Sequence, residues 1–450
     1  MTDLNNEVKC ISRRHFLHGT LAILGGGAVS AILGACGPTP TPVPPTATPV
    51  AKPTTPPLPT PTPIPPKVEI TYAFHDTDEP RKKMVKVFNE TFPGITVNLN
   101  WIAEGFREKC LTMAAAGTLP DVIRLWEPIA LDFGRANQVI DLQPYIDKQP
   151  DFNPKDLYEV FYDFALIKGK RCGLSDGWAS HFAFYNKVLF DVAGVPHPKP
   201  DWSWADYVSI AKKLSKPAEK LWGSDTIPIG WLHYSYKFIW QNGGQVYNPD
   251  YTECLLDRPE AIDGLQFWAD QLLKAEIMPT PAQAAGMGDL FKTGRVAIHR
   301  MGSWVMKGLV DAGLVWDVVP EPRRKERRTL IHTAFNAIAT TSKNKDAAWK
   351  WLNFAVGPEG SFIYTSFLTF PASRRSVNER KPWVIKDVDA HWEYIPQAGE
   401  YGFIVPAPPK VGEVEKLQSD AFEAVYLGKK KAAEVLPEVA RKVTEILRKA

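Results

Sequence analysis

At 450 residues the chain is longer than one hydrophobic core usually serves, which predicts two or more folded units. Hydrophobic residues make up 44% and the formal charge is +3, an ordinary balance for a globular chain. Setting aside the four basic and two acidic residues of the first 66 leaves 49 basic and 48 acidic side chains. That balance argues against nucleic-acid binding and against attraction to anionic lipid.

The chain opens on an export segment. Ser12-Arg13-Arg14-His15-Phe16-Leu17 matches the twin-arginine pattern S-R-R-x-F-L. Residues 21–35 are weakly apolar and glycine-rich, the layout of a signal peptide rather than a membrane span. They end Leu33-Gly34-Ala35-Cys36, small residues before a cysteine, which fits lipidation at Cys36. Residues 1–36 therefore read as a lipoprotein signal. Residues 37–66 hold 14 prolines with threonine and little else. Such a segment cannot build a core and reads as a polyproline II tether of at most about 90 Å. The expected location is outside the cell membrane, held to it by lipid.

Residues 68–74 alternate as a first strand, with Asp76 and Asp78 just past its end. Helical spacing over 81–91, a strand at 96–101 and a helix at 106–116 stopped by Gly117 follow. A short apolar strand at 122–125 then ends on Trp126 and Glu127. This β-α-β-α-β run predicts a parallel sheet. Ligands of open α/β sheets sit outside the carboxyl ends of strands. Carboxylates there accept from hydroxyls without donating; Asp76 and Asp78 suit a helix N-terminus equally well.

Gly173-Leu174-Ser175-Asp176-Gly177 formally matches the nucleophile elbow G-x-S-x-G. The residues after it read as extended, whereas an elbow needs a helix. Ser203 and Asp206 fit a capping box, and residues 261–273 carry one apolar stripe. Gly294 can end a helix. Val296 and Ile298 then alternate as a strand, Gly302 ends it, and Trp304 stands just past it. A tryptophan in that place stacks on the C–H face of a sugar ring or on a base; the competing role is core packing. Trp202, Trp268, Trp349 and Trp351 read as packing residues. Residues 323–328, R-R-K-E-R-R, read as a solvated loop, and Val435, Val439, Val443 and Ile446 form the stripe of a docked last helix. The histidines form no H-E-x-x-H pattern, so no metal or other cofactor is expected. Cys110, Cys172 and Cys254 allow at most one disulfide, of open pairing.

Several short motifs, in order, resemble the bacterial extracellular solute-binding proteins of the sugar-binding family 1, the group that contains maltose-binding protein. They include Ala116-Gly117-Thr118-Leu119-Pro120-Asp121-Val122, Phe184-Tyr185-Asn186-Lys187 and Trp240-Gln241-Asn242-Gly243-Gly244. Phe291-Lys292-Thr293-Gly294-Arg295-Val296-Ala297, Gly302-Ser303-Trp304 and Ser342-Lys343-Asn344-Lys345-Asp346 continue the series. The resemblance implies an α/β fold of two lobes, the type II periplasmic-binding-protein fold, with the ligand in the cleft between them. It places one lobe at 67–176 plus 320–357 and the other at 177–319 plus 358–450. Crossings are expected near 174–181, 319–329 and 357–362.

The resemblance also implies a site. Trp304 would stack on the ligand from the larger lobe, with Trp126 and Glu127 as the aromatic and the carboxylate of the first. Trp178 and His181 on the first crossing, Tyr236 and the preferred Trp240 before the Gly-Gly turn, and Asn336 beside the hinge join Asp76 and Asp78 as candidates. The implied role is the substrate-binding part of an ABC importer. It takes a carbohydrate, works as a monomer with membrane permease subunits, and performs no catalysis. The alternatives are a non-sugar solute such as glycerol phosphate or a peptide, and a secreted serine hydrolase using Ser175.

Overall fold

The computed structural model describes residues 67–225 and 232–450. The twin-arginine motif, Cys36 and the proline-rich tether lie outside the described residues.

Strands β1 (Val68–Phe74), β2 (Ile95–Trp101) and β3 (Val122–Trp126) alternate with helices α1 (Asp78–Thr91) and α2 (Phe106–Ala116). β1 runs parallel to both neighbours, with Val68 opposite Ile95 and Tyr72 opposite Val122. The alternation in β1 explains the layering. Ile70, Tyr72 and Phe74 meet Met84 and Phe88 of α1 on one face. Ala73 meets Phe106 and Cys110 of α2 on the other. A parallel sheet needs both faces covered, and this pattern supplies it. Gly117 adopts a left-handed φ of 66° and its N–H returns to the Ala114 carbonyl, so α2 stops there.

Helix α3 (Glu127–Arg135) begins directly after Trp126. The chain then enters β4 (Leu174–Asn186), thirteen residues long and buried throughout. Further on come α4 (Trp204–Leu214), β5 (Trp222–Ser224), α5 (Tyr236–Gln241), α6 (Pro259–Leu273), β6 (Val296–Gly302) and β7 (Trp316–Val319). β8 (Thr329–Ile338), α7 (Lys345–Ala355), α8 (Pro358–Leu368), β9 (Gly402–Ile404), α9 (Val411–Tyr426) and α10 (Ala432–Arg448) complete the elements that matter here.

The nine strands form a sheet ordered β2-β1-β3-β8-β4-β6-β5, with β9 beside β8 and β7 beside β4. Two long strands tie its halves together. β4 pairs antiparallel with β8 from Leu174 to Ser180, then with β6 from His181 onward. β8 in turn pairs with β3 over Ala334–Ile338. The extended stretch read as a crossing is thus one strand that changes partners between Ser180 and His181. This is the two-lobe α/β fold: a first lobe around β1–β3 and a second around β5–β7, α6, α9 and α10.

Trp349 and Trp351 are buried in the first-lobe core, and Trp202 and Trp268 in the second. Ser203 and Asp206 make the reciprocal capping box at the start of α4. On α10, Val439 and Val443 are buried, with Val435 and Ile446 at the edge of the same cluster. Helix α8 belongs with the first lobe: Ile363 and Tyr364 pack beside Phe88 and Trp351. A crossing was expected at 357–362, but Pro358 lies in the first turn of a helix, where its missing N–H is harmless. The packing changes only after Leu368.

Ser175 lies inside β4, 2% exposed, and the strand continues to Asn186, so no elbow forms. Its Oγ lies 2.6 Å from the hydroxyls of both Thr333 and Ser373. Cys110, Cys172 and Cys254 are buried and unpaired. Among the described residues no helix is long and apolar enough to cross a membrane.

Candidate functional site

A cleft of about 800 Å³ opens where the two lobes meet. First-lobe strand ends supply His75, Asp76, Trp126 and Glu127. The crossing strands supply Trp178, His332 and Thr333. The second lobe adds Tyr234, Tyr236, Tyr247 and Trp304, and the segment entering α9 adds Pro406, Pro408, Val411 and Glu415.

Trp304 follows β6 as the sequence pattern implies and is 38% exposed. The glycine two residues earlier makes room for the indole itself: a Cβ on Gly302 would lie 2.0 Å from Trp304 Cζ3. The ring also meets His181 at 5.4 Å and His332 at 5.2 Å between centroids. On the opposite side Trp126 is held edge-on by His75 at 4.7 Å. Trp178 forms part of the wall, its Nε1 donating to the Ala372 carbonyl at 3.0 Å.

Two carboxyls on the first-lobe side of the cleft, Asp76 and Glu127, differ sharply. Asp76 Oδ2 accepts from Tyr364 Oη at 2.6 Å and lies 3.4 Å from both Arg81 Nη2 and Arg124 Nη1. Beneath it Asp176 takes the same two arginines at 3.0 and 3.1 Å. Two acids and two guanidiniums make a buried, neutral knot. Burial opposes the Asp76 charge, but Arg124 and Arg81 outweigh it and hold the carboxyl down at about 2. Burial, aided by Arg124, pushes neighbouring His75 down to about 4, so its imidazole is neutral. Asp76 Oδ1 and His75 Nδ1 are buried polar atoms with no hydrogen-bond partner among the described residues.

Glu127 makes no salt bridge to a guanidinium among the described residues, and burial outweighs the backbone N–H groups and the more distant Arg124 that favour its charge. Glu127 is 4% exposed, and its Oε1 accepts the Thr333 backbone N–H. The His332 ring lies beside it, with Nδ1 3.8 Å from Oε1. Burial pushes the Glu127 carboxyl up to about 7.

Four residues singled out from the sequence stand away from the cleft lining. Asp78 sits in the first turn of α1, 2.7 Å from Lys82, in the helix-terminal role weighed for it. His181 is fully buried behind Trp304. Trp240 stacks on Phe403 at 4.6 Å, because α5 turns it into the second-lobe core while Tyr234 and Tyr236 reach the cleft. Asn336 is buried, accepting from Tyr72 Oη at 2.7 Å. Asp76, Trp126, Glu127, Trp178, Tyr236 and Trp304 come together. Sequence reasoning missed His75, His332 and the far rim. A signal for the rim was present: Val405-Pro406-Ala407-Pro408-Pro409 is a proline-rich loop at a strand end.

Comparison with known proteins agrees with this architecture. A putative binding protein of Brucella abortus (strain 2308) is 24% identical over 376 residues, covering 82% of this chain and 90% of its own length. The ABC substrate-binding protein Lmo0181 of Listeria monocytogenes, solved in complex with cycloalternan, superposes with a TM-score of 0.76. The two are 27% identical, over 84% of this chain and 99% of that one. The sugar-binding protein MalE of Xanthomonas citri shares the fold at a TM-score of 0.75 and 19% identity, over 85% and 98%. The family model for bacterial extracellular solute-binding proteins matches residues 74–361, and the chain belongs to that family.

Proposed function

We propose that this chain is the substrate-binding component of an ABC importer and that its solute is a neutral carbohydrate. The carrying observation is the composition of the cleft. Indole and phenol rings from both lobes face a space whose buried arginine charges are already matched by Asp76 and Asp176. Aromatic faces suit the C–H surface of a pyranose. Asp76 Oδ1 and His75 Nδ1 offer unfilled positions to hydroxyl groups. Trp304 and Trp126 act as stacking platforms, with Tyr236 and Trp178 completing the wall. Closure about β4 and β8 then traps the ligand for the permease. The cycloalternan complex of the Listeria protein supports an oligosaccharide of similar size. In this reading the lipid on Cys36 and the proline tether hold the binding unit near its permease outside the membrane, and the unit works as a monomer.

A thermal-shift screen tests the class. Maltose, maltotriose and cycloalternan are compared with glycerol 3-phosphate and a dipeptide, each repeated on Trp304→Ala. A ligand at 100-fold excess over Kd adds about 2.7 kcal/mol to the native state. Stabilisation by a saccharide that disappears in the variant is expected. A shift with glycerol 3-phosphate or the dipeptide alone overturns the carbohydrate assignment.

A further inference from the structure

Helix α9 lends Val411, Glu415 and Ser419 to the cleft wall. Gln418 on the same helix is fully buried, on a face whose neighbouring positions, Val414, Phe422 and Val425, are apolar. A buried amide in such company costs free energy unless its polar atoms are paired. Here the oxygen is paired twice. Tyr236 Oη donates to Gln418 Oε1 at 2.8 Å, and Tyr247 Oη donates to it at 3.0 Å. An amide oxygen has two lone pairs, so the two phenols fill it. The amide nitrogen is turned to Cys254 Sγ, 4.0 Å away.

Both tyrosines line the cleft, yet they come from different segments. Tyr236 opens α5, and Tyr247 lies in a loop that bridges back to Cys254. Phe422 meets the Tyr236 ring edge-on at 6.3 Å, and Tyr251 lies 5.7 Å from the Tyr247 ring. The one group that holds both hydroxyls is the Gln418 amide. A phenol carries a single proton, so a hydroxyl that donates to Gln418 has none left for a ligand oxygen. Burial pushes both phenols well above their usual range, so they stay neutral.

We propose that Gln418 is a positioning residue of the cleft: its amide oxygen holds both phenol hydroxyls inward, so that Tyr236 and Tyr247 meet the ligand through ring carbons and donate no hydrogen bond to it. This part of the wall then reads the C–H face of a pyranose. The sugar hydroxyls are left to polar groups such as Asp76 and His75. Without the amide oxygen two buried hydroxyls lose their acceptor, and the rings turn toward the cleft to find another.

The inference rests on the carbohydrate reading, so two measurements keep them apart. Calorimetric titration of the full chain with maltotriose and with cycloalternan follows Gln418→Met in two backgrounds. One keeps the natural tyrosines, and the other carries Tyr236→Phe with Tyr247→Phe. Methionine is close to glutamine in length and lacks the oxygen. With the hydroxyls present, Gln418→Met is expected to lower the association constant about tenfold. With the hydroxyls removed the amide has nothing to hold, and the same substitution should change affinity by less than about twofold. An equal loss in both backgrounds overturns the proposal, because packing alone is indifferent to the hydroxyls. Nitration of tyrosine, mapped by peptide mass, asks the question without a sugar. The reagent attacks the phenolate, so Tyr236 and Tyr247 are expected to resist it in ligand-free wild type and to react in Gln418→Met. Reaction of either in wild type overturns the proposal even where Gln418→Met does not fold, and so does protection of both in a folded Gln418→Met. If neither saccharide binds wild type while nitration follows the expected pattern, the carbohydrate reading fails and the hold of Gln418 on the two phenols stands.

Discussion

Arg135 Nη2 donates to the Ala407 carbonyl at 2.7 Å, joining the end of a first-lobe helix to the loop that leads into α9 of the second lobe. Asp132 steadies the same guanidinium at 3.3 Å, and Ala407 is fully buried between Pro406 and Pro408 of the cleft rim. The bond therefore bridges the lobes beside the cleft.

Replacing Arg135 with alanine is expected to loosen the ligand-free molecule. A charged hydrogen bond is worth about 1.5–3 kcal/mol, and partial exposure brings this near 1 kcal/mol. Closing the lobes then costs more, and sugar affinity falls about fivefold. Small-angle scattering of the ligand-free variant should show a larger radius of gyration that returns to the wild-type value on saturation. An unchanged radius and affinity would show that the bond is incidental.

Gly302→Ala tests how Trp304 is held. Gly302 has φ −72°, so alanine suits the backbone, but its Cβ collides with the indole. The ring must swing away, at about 1–3 kcal/mol in stability. Sugar binding should fall as far as in Trp304→Ala while circular dichroism stays native. Wild-type affinity in Gly302→Ala would detach Trp304 from the ligand.

The fold was largely legible in the sequence because its strongest signals are local. Alternation in β1, the Gly117 stop and the Ser203 capping box each depend on a few adjacent residues. The site was legible where it falls on strand ends, as at Asp76, Trp126 and Trp304. It failed where a side chain's direction depends on distant packing. Trp240 and Tyr236 are four residues apart on one short helix, yet Phe403 of a remote strand takes the tryptophan into the core. His332 lies mid-strand in β8, and it reaches the cleft only because that strand crosses between lobes. The knot of Arg81, Arg124, Asp76 and Asp176 draws on four separate segments, and no spacing rule announces it.

Ser175→Ala should act on stability alone. The hydroxyl joins Thr333 and Ser373 inside the sheet, so its loss costs about 1–2 kcal/mol. Chemical denaturation measures this. Sugar affinity should match wild type, and assays with nitrophenyl esters should find the same background in both proteins. Ester turnover abolished by the substitution would instead revive a hydrolase.

The opposite settings of Asp76 and Glu127 predict opposite pH dependences of stability. The folded pKa of Asp76 is depressed to about 2, so its contribution is present above the unfolded value near 4. It is lost as pH falls through 2, and amounts to about 2 kcal/mol. Asp76→Asn leaves Arg81 and Arg124 with one acid between them, and should cost about 3–5 kcal/mol at pH 7, a gap that narrows in acid. For Glu127 the folded pKa is raised to about 7. Its relative stabilisation is complete below the unfolded value near 4.3 and is lost as pH rises to 7, by about 3 kcal/mol. Glu127→Gln carries no such loss. The stability of the variant relative to wild type should therefore climb between pH 4.5 and 7 and level off above. Urea denaturation across that range measures both curves, and a constant difference between Glu127→Gln and wild type would mean that the carboxyl is ionised throughout.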